Sequence, residues 1–181
     1  MERRKTTLPK LQRIDQRNDR LSRFKMKSIN VYKEVAFNNL IKISLSGNKN
    51  EIIATVKKFY DFLREMGIST YPQIATNNDV KNVNNVKLEE SEIYVISNEE
   101  DIKRVEGIYE TYEELIWENV VMLEYTGVLL EFQNAVKEMK EYLDKNNMKP
   151  ISGFYTYIPH EIKGTDIFTR KIDMNCFVRI A

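Results

Sequence analysis

Hydrophobic and polar residues alternate along two stretches of this chain and recur at helical spacing along two others. Residues 39–45 and 119–125 alternate with a period of two, which predicts strands with one buried face. Residues 51–66 and 129–145 carry apolar side chains three and four positions apart, which predicts amphipathic helices. Asn50 is the expected N-cap of the first helix. The pattern therefore predicts a strand followed by a helix, twice.

Shorter patterns predict the elements that complete each unit. An Asn-rich loop is expected over residues 77–85, and a charged connector over residues 98–106. The remaining strands are expected at 28–35, 73–76, 92–96, 107–112, 153–158 and 172–180.

The chain also repeats itself. Residues 32–76 align onto residues 112–156 without a gap, and most unmatched positions keep their apolar or polar character. This favours an internal duplication, and two copies are too few for a solenoid. We therefore expect an α+β fold made of two pseudo-symmetric strand-helix-strand-strand repeats, with an antiparallel sheet and helices on one face. Identical pairs include Tyr32 and Tyr112, Asn39 and Asn119, and Gly47 and Gly127.

The distribution of charged residues changes at residue 28. The net charge is only +1, so no general attraction to nucleic acid or anionic membranes is expected, but residues 1–27 contain ten Lys and Arg. Within them, apolar residues at spacings of three and seven predict a basic helix from Leu8 to about Phe24. A stripe this narrow suits a partner helix, so a homodimer formed through this segment is one expectation, and a solvated arm is the other.

The predicted organisation is thus a basic N-terminal helix or linker followed by one domain. The domain covers residues 28–181, with its first repeat at 28–97 and its second at 108–181. The longest apolar runs are too short to span a membrane.

Several kinds of chemistry find little support in the sequence. His160, the single histidine, stands beside Glu161, and two such residues do not make a metal site. Cys176, the single cysteine, lies in an apolar run, which fits a core residue and a reducing cytoplasm. The six glycines form no phosphate loop. We therefore expect no metal, no cofactor and no catalytic residue of these classes.

Two segments that end in a glycine turn carry a family resemblance. Residues 32–47 read YKEVAFNNLIKISLSG, and residues 112–127 read YEELIWENVVMLEYTG. They resemble the strands that open each unit of the GyrI-like effector-binding domain, the ligand domain of MerR- and AraC-type drug-responsive regulators, which also occurs as a free-standing protein. The resemblance spans about Ser28–Ala181 and implies a small organic ligand.

Regulators of both classes bind DNA through a helix-turn-helix. The 27 residues ahead of the predicted domain are too few to hold one. We therefore expect no DNA-binding motif in this chain, which would be either a fragment or a protein that works without its own DNA-binding domain.

Alternation assigns one face of the sheet to the helices and leaves the other for a ligand. Aromatic walls with a few acids suit planar or cationic molecules, although exposed tyrosines and solvated carboxylates would give the same pattern. The resemblance implies a glutamate in the closing strand of the second unit, where this chain has Asp173, one methylene shorter, as the nearest substitute. The predicted ligand-binding residues are Glu92, Tyr94, Met122, Glu124, Tyr155, Tyr157, Asp173 and Phe177.

Three functions follow as hypotheses. The first is a module that binds small aromatic molecules, cationic ones among them, as a ligand sensor or a sequestering protein. The second is a small-molecule hydrolase in the same pocket, using Glu124 with Tyr155 or Tyr157. The third is an interaction module acting through the N-terminal helix. Trp117, which aligns with Phe37 in the repeat, is expected in the core.

Overall fold

The structure, a computed structural model, describes residues 25–76, 79–83, 86–162, 164 and 166–181. The basic helix predicted from Leu8 to about Phe24 lies outside these residues. The homodimer expected through it therefore stays a prediction.

The described chain forms strands and helices in the following order: β1 Lys25–Gly47, α1 Lys49–Glu65, β2 Gln73–Thr76, β3 Asp79–Val83, β4 Val86–Ile96, α2 Glu99–Val105, β5 Glu110–Gly127, α3 Leu129–Lys145, β6 Tyr155–Ile158, α4 Asp166–Thr169 and β7 Ile172–Arg179. No helix among the described residues is both long and apolar enough to cross a membrane.

The sheet closes on itself. Its strands follow the order β1–β5–β7–β6–β2–β4, and β4 also pairs with β1, so six antiparallel strands form a ring. Strand β3 pairs with β4 outside that ring. The fold is therefore α+β with a closed six-stranded antiparallel barrel, and the two faces of the predicted sheet become its outside and its inside.

Buried side chains form three clusters, two outside the barrel and one within it. Helices α1 and α2 pack on the outer face of β1 and β4 around Phe59, and α3 packs on β5 and β7 around Met139. The third cluster, the inner cluster, draws on all six strands of the ring: Tyr32, Leu40, Ile74, Tyr94, Trp117, Val120, Met122 and Phe177 are buried in it, and Tyr155 and Tyr157 pack against it.

Alternation assigned the two faces correctly. The residues predicted to meet the helices, Ile41 and Ile43 in β1 and Val121 and Leu123 in β5, belong to the outer clusters. The prediction that the other face stays open is wrong, because closing the ring turns that face inward and buries it.

Two elements have the predicted bounds, and one helix differs at its start. Strand β2 and helix α3 begin and end where the sequence predicts. Helix α1 begins two residues early because Asn48, not Asn50, is its N-cap. The Asn48 side chain accepts hydrogen bonds from the backbone of Asn50 and Glu51, and Glu51 accepts one from the Asn48 backbone.

The predicted division of the long strands is wrong. The strands expected at 28–35 and 39–45 lie in the single strand β1, and β5 joins the strand expected at 119–125 to residues 110–112 of the one expected at 107–112. Asn39 and Asn119 adopt positive φ angles of 56° and 52° inside these strands, which asparagine tolerates. At such a residue the set of inward-facing positions shifts by one, although the strand continues. The alternation of polar and apolar residues is therefore interrupted there, and the sequence wrongly predicts two strands.

Two predicted connectors are also structured. The expected loop over residues 77–85 contains β3 and leads into β4, which begins before the predicted residue 92. The expected connector over residues 98–106 contains α2, whose N-cap Asn98 accepts a hydrogen bond from the backbone of Asp101. At the end of the chain, β6 begins at Tyr155 and β7 ends at Arg179, both slightly inside the predicted bounds.

Candidate functional site

Aromatic rings fill the middle of the barrel. Trp117 is only 4% exposed, so its predicted core position is confirmed. Its ring packs edge-on against Phe37, its partner in the sequence repeat, with centroids 4.9 Å apart, and lies 4.4 Å from the ring of Tyr155. Phe177 and Tyr94 complete this group at 6.2 Å from Trp117. The centre of the barrel is therefore packed rather than hollow.

Charged and phenolic side chains meet at one end of this aromatic centre. Lys42 Nζ lies 2.9 Å from Glu92 Oε1 and 3.3 Å from Glu110 Oε2. The hydroxyls of Tyr94 and Tyr155 both donate to Glu92 Oε2, at 2.9 and 3.2 Å. The Tyr112 hydroxyl donates to Glu110. We call these residues the Glu92 cluster: Lys42, Glu92, Tyr94, Glu110, Tyr112 and Tyr155.

Strand register brings the cluster together. Lys42 lies opposite Tyr94 across the β1–β4 pair and opposite Glu110 across the β1–β5 pair. Lys42 therefore reaches carboxylates on both neighbouring strands. Tyr155 reaches the cluster through β6, which joins β2 to β7.

Burial and pairing fix the charge states in the cluster. Burial alone would lower the pKa of Lys42, but its hydrogen bond and charge attraction to Glu92, with a smaller contribution from Glu110, together raise that pKa above its usual value. Burial and the neighbouring Glu92 carboxylate raise the pKa of Tyr155 to about 12 and raise that of Tyr94 further. Lys42 therefore stays charged and both tyrosines stay protonated at neutral pH.

A cleft of about 360 Å³ opens beside the cluster, and we call it the Glu92 cleft. Its volume is at the lower end of the range for ligand pockets. The Tyr155 ring forms an aromatic wall, and the Glu92 backbone N–H donates to the Thr76 hydroxyl at 2.7 Å. The cleft is lined by Ser44, Leu45, Ser46, Thr76, Glu90, Ser91, Glu92, Gly153 and Tyr155.

Other predicted site residues lie toward the opposite end of the barrel. Glu124 accepts a hydrogen bond from Ser28 at 2.8 Å, and Asp173 is exposed and accepts one from Thr126 at 2.5 Å. Tyr157 lies opposite Asn175, which itself lies opposite Glu124.

The structure thus divides the predicted residues into three groups. Glu92, Tyr94 and Tyr155 contact one another in the Glu92 cluster. Met122 and Phe177 are buried in the inner cluster. Glu124, Tyr157 and Asp173 lie toward the other end.

The predicted site omitted three residues of the cluster. Alternation placed Lys42 on the correct face, but a lysine on a face expected to be open suggests a solvated side chain. Glu110 and Tyr112 belonged to a predicted edge strand with no assigned partner. Their link to Lys42 depends on the pairing of β1 with β5, which no local pattern encodes.

Comparisons with known proteins bear on the fold. No protein-family model and no curated protein matches the chain. Among solved structures, the chain is similar to an uncharacterized conserved protein from Listeria innocua, with a TM-score of 0.51, 10% identity, and 86% of this chain and 93% of that chain covered.

Two further similarities are weaker. An integron cassette protein from Vibrio cholerae gives a TM-score of 0.48 at 8% identity, covering 88% of this chain and 100% of that chain. A hydrolase from Listeria innocua gives 0.45 at 9% identity, covering 86% and 93%. At such identities the likeness concerns the fold alone.

Proposed function

We propose that this protein binds small aromatic molecules in the Glu92 cleft, as a ligand sensor or a sequestering protein. The observation that carries the proposal is a cleft lined by Tyr155, by Ser and Thr residues, and by Glu92, whose carboxylate is paired with the part-buried Lys42. Pockets of this kind hold a planar ligand by stacking and orient it through a few polar contacts. Cationic aromatic molecules remain among the ligands expected from the resemblance.

We also propose that the barrel consists of two related halves, as in the GyrI-like domain that the sequence resembles. Helices α1 and α3 each have 17 residues and begin eighty positions apart. Asn39 and Asn119, also eighty positions apart, share a positive φ angle. Ala36 lies opposite Ile116 in the β1–β5 pair, as expected if a two-fold axis exchanging the halves passes between them.

The two halves differ in the chemistry of their ends, which supports a single ligand site. Lys42 aligns with Met122 in the repeat. Lys42 lies opposite Tyr94 in the β1–β4 pair, and Met122 lies opposite Phe177 in the β5–β7 pair, so Tyr94 corresponds to Phe177. The ion pair with two tyrosine donors thus belongs to the first half. The second half carries Glu124 near Ser28 instead.

Hydrolysis is the second candidate, and one observation favours it. Glu92 and the Tyr155 hydroxyl lie 3.2 Å apart at the cleft, so a carboxylate and a proton donor would meet a bound molecule together. The raised pKa of Tyr155 suits a hydrogen-bond donor better than a nucleophile. A hydrolase would therefore use Glu92, rather than Glu124, with Tyr155.

Titration calorimetry with meta-tert-butylphenol, an uncharged aromatic probe, and rhodamine 6G, a cationic one, tests the proposal. We expect saturable binding of at least one probe and a loss of about tenfold in affinity for Glu92→Gln or Tyr155→Phe, since each changes a hydrogen bond to a charged group. Glu124→Gln at the other end is the matched control and should bind as the wild type does.

The acetate ester of the phenol separates binding from hydrolysis. If the protein only binds, the ester should be cleaved no faster with the wild type than with the Glu92→Gln variant. If the protein is a hydrolase, the wild type should cleave the ester faster than this variant does. Absence of saturable binding of both probes by the folded protein would contradict the proposed function.

A further inference from the structure

We propose that Lys42 is a built-in counter-ion that sets the charge class of the ligand. The Glu92 cleft then accepts uncharged aromatic molecules that carry a hydrogen-bonding group, and it disfavours organic cations. This inference rests on the proposed function, because it concerns the ligand of the same cleft.

Lys42 occupies the place that a cationic ligand would need. Its side chain is 13% exposed, and its ammonium group lies 2.9 Å from the Glu92 carboxylate. The same ammonium group lies over the Tyr94 ring, 5.6 Å from the centroid. A carboxylate and an aromatic face are the two features that attract an organic cation, and Lys42 contacts both.

The hydrogen bonds of Glu92 reinforce this point. Lys42 binds one carboxylate oxygen, while Tyr94 and Tyr155 both donate to the other. An incoming cation would have to displace Lys42 or sit beside it. Displacement leaves the part-buried ammonium group of Lys42 without its closer partner, and two like charges a few ångströms apart repel each other.

The other charges near the cleft do not restore an attraction of comparable strength. Glu110 also pairs with Lys42, but its side chain is 52% exposed, so solvent screens its charge. Glu90 also lines the cleft, and it is exposed, so solvent screens its charge too. Of the two carboxylates that line the cleft, Glu92 is therefore balanced by its ion pair with Lys42, and Glu90 is screened by solvent.

The remaining polar groups in the cleft suit an uncharged ligand. Ser44 and Ser46, on the same face of β1 as Lys42, line it, and a serine hydroxyl can donate to or accept from a ligand hydroxyl or carbonyl. Together with the Tyr155 ring they provide stacking and neutral hydrogen bonding. A small phenol combines the corresponding features in one molecule.

A pair of molecules with the same shape and different charge tests the inference. In meta-hydroxyphenyl trimethylammonium, a charged trimethylammonium group replaces the tert-butyl group of meta-tert-butylphenol. Calorimetry should give the wild-type protein about tenfold tighter binding of the uncharged molecule. This comparison needs no variant, so it does not depend on a substituted protein folding.

Substitution of Lys42 should remove the preference for the uncharged molecule. Lys42→Met introduces the residue found at the corresponding position of β5, Met122, and leaves Glu92 without its counter-ion. We expect the affinity for the cation, measured relative to that for the phenol, to rise more than tenfold. Lys42→Arg keeps the charge and should keep the preference, and Lys42→Met combined with Glu92→Gln should abolish the gain.

The outcomes separate this inference from the proposed function. A wild-type protein that binds the cation as tightly as the phenol overturns the role of Lys42 and leaves aromatic binding standing. Failure of a folded Lys42→Met variant to gain affinity for the cation overturns it as well. If the folded wild type binds neither molecule, both the proposed function and the inference fall.

Discussion

Lys42, Tyr94 and Tyr155 combine burial with a charged neighbour. The alternation of polar and apolar residues could predict that all three point away from the helices, because side-chain direction in a strand depends on local sequence. It could not predict that they meet at Glu92. That contact depends on the pairing of β1 with β4 and on the presence of β6, which bring together residues far apart in the chain.

The pKa values of the tyrosines give a prediction at this scale. Burial raises the pKa of both Tyr60 and Tyr155 to about 12, and that of Tyr94 is raised further. An absorbance titration of the native protein should therefore show tyrosines that are still protonated at about pH 11, one unit above the ordinary tyrosine pKa. In denaturant, all ten tyrosines should titrate together near pH 10.

The same shifts predict the direction of the stability change. Above about pH 10 these tyrosines ionise in the unfolded chain but stay protonated in the folded protein, which favours the unfolded state. The free energy of unfolding should therefore fall between about pH 10 and 12. Urea unfolding at both ends of this range measures the change. Native tyrosines that all titrate near pH 10 would contradict the buried hydrogen-bonded cluster.

Helices were the elements that the sequence predicted best. Apolar spacing set the bounds of α3, and it placed α1 within two residues, because a helix shows its buried stripe over several turns. The long strands were harder to predict. A single asparagine at positive φ interrupts alternation without interrupting hydrogen bonding, so each strand looked like two.

The starts of α1 and α3 differ in a way that can be measured. Asn48 caps α1 with its side chain, whereas Val128 at the corresponding position of α3 makes no such hydrogen bond. Asn48→Ala should therefore lower the free energy of unfolding by about 1 kcal/mol, and Val128→Asn should raise it by up to a similar amount. Urea unfolding followed by circular dichroism gives both values.

Asn50→Ala is the matched control for the cap. Asn50 contributes its backbone N–H rather than its side chain to the cap, so its truncation should change stability by much less than that of Asn48. Equal losses for the two alanine variants would contradict the observed cap and favour the position predicted from sequence.

Closure of the sheet decides what the whole molecule can bind. From the sequence, the face with Glu92, Tyr94 and Phe177 was predicted to be open and available over its full length. The closed ring buries the centre of that face with aromatic rings and leaves a cleft at the end that holds the Glu92 cluster. Closure requires β4 to pair with β1 across the whole domain, and local patterns do not specify such a pairing.

A second apolar surface lies apart from this cleft. Helix α1 presents an apolar groove lined by Ile52, Ile53, Val56 and Tyr60 on the outside of the barrel. An aromatic molecule with no specific site would be expected to settle on such a surface. The position of a bound probe therefore distinguishes specific binding from adsorption.

The most direct test is a map of amide chemical shifts by nuclear magnetic resonance as meta-tert-butylphenol is added to the full chain. If the Glu92 cleft binds the phenol, saturable shifts are expected at Ser44, Thr76, Glu92 and Tyr155 around it. Shifts confined to residues 52–60 on α1, or shifts that do not saturate, would contradict binding in the cleft.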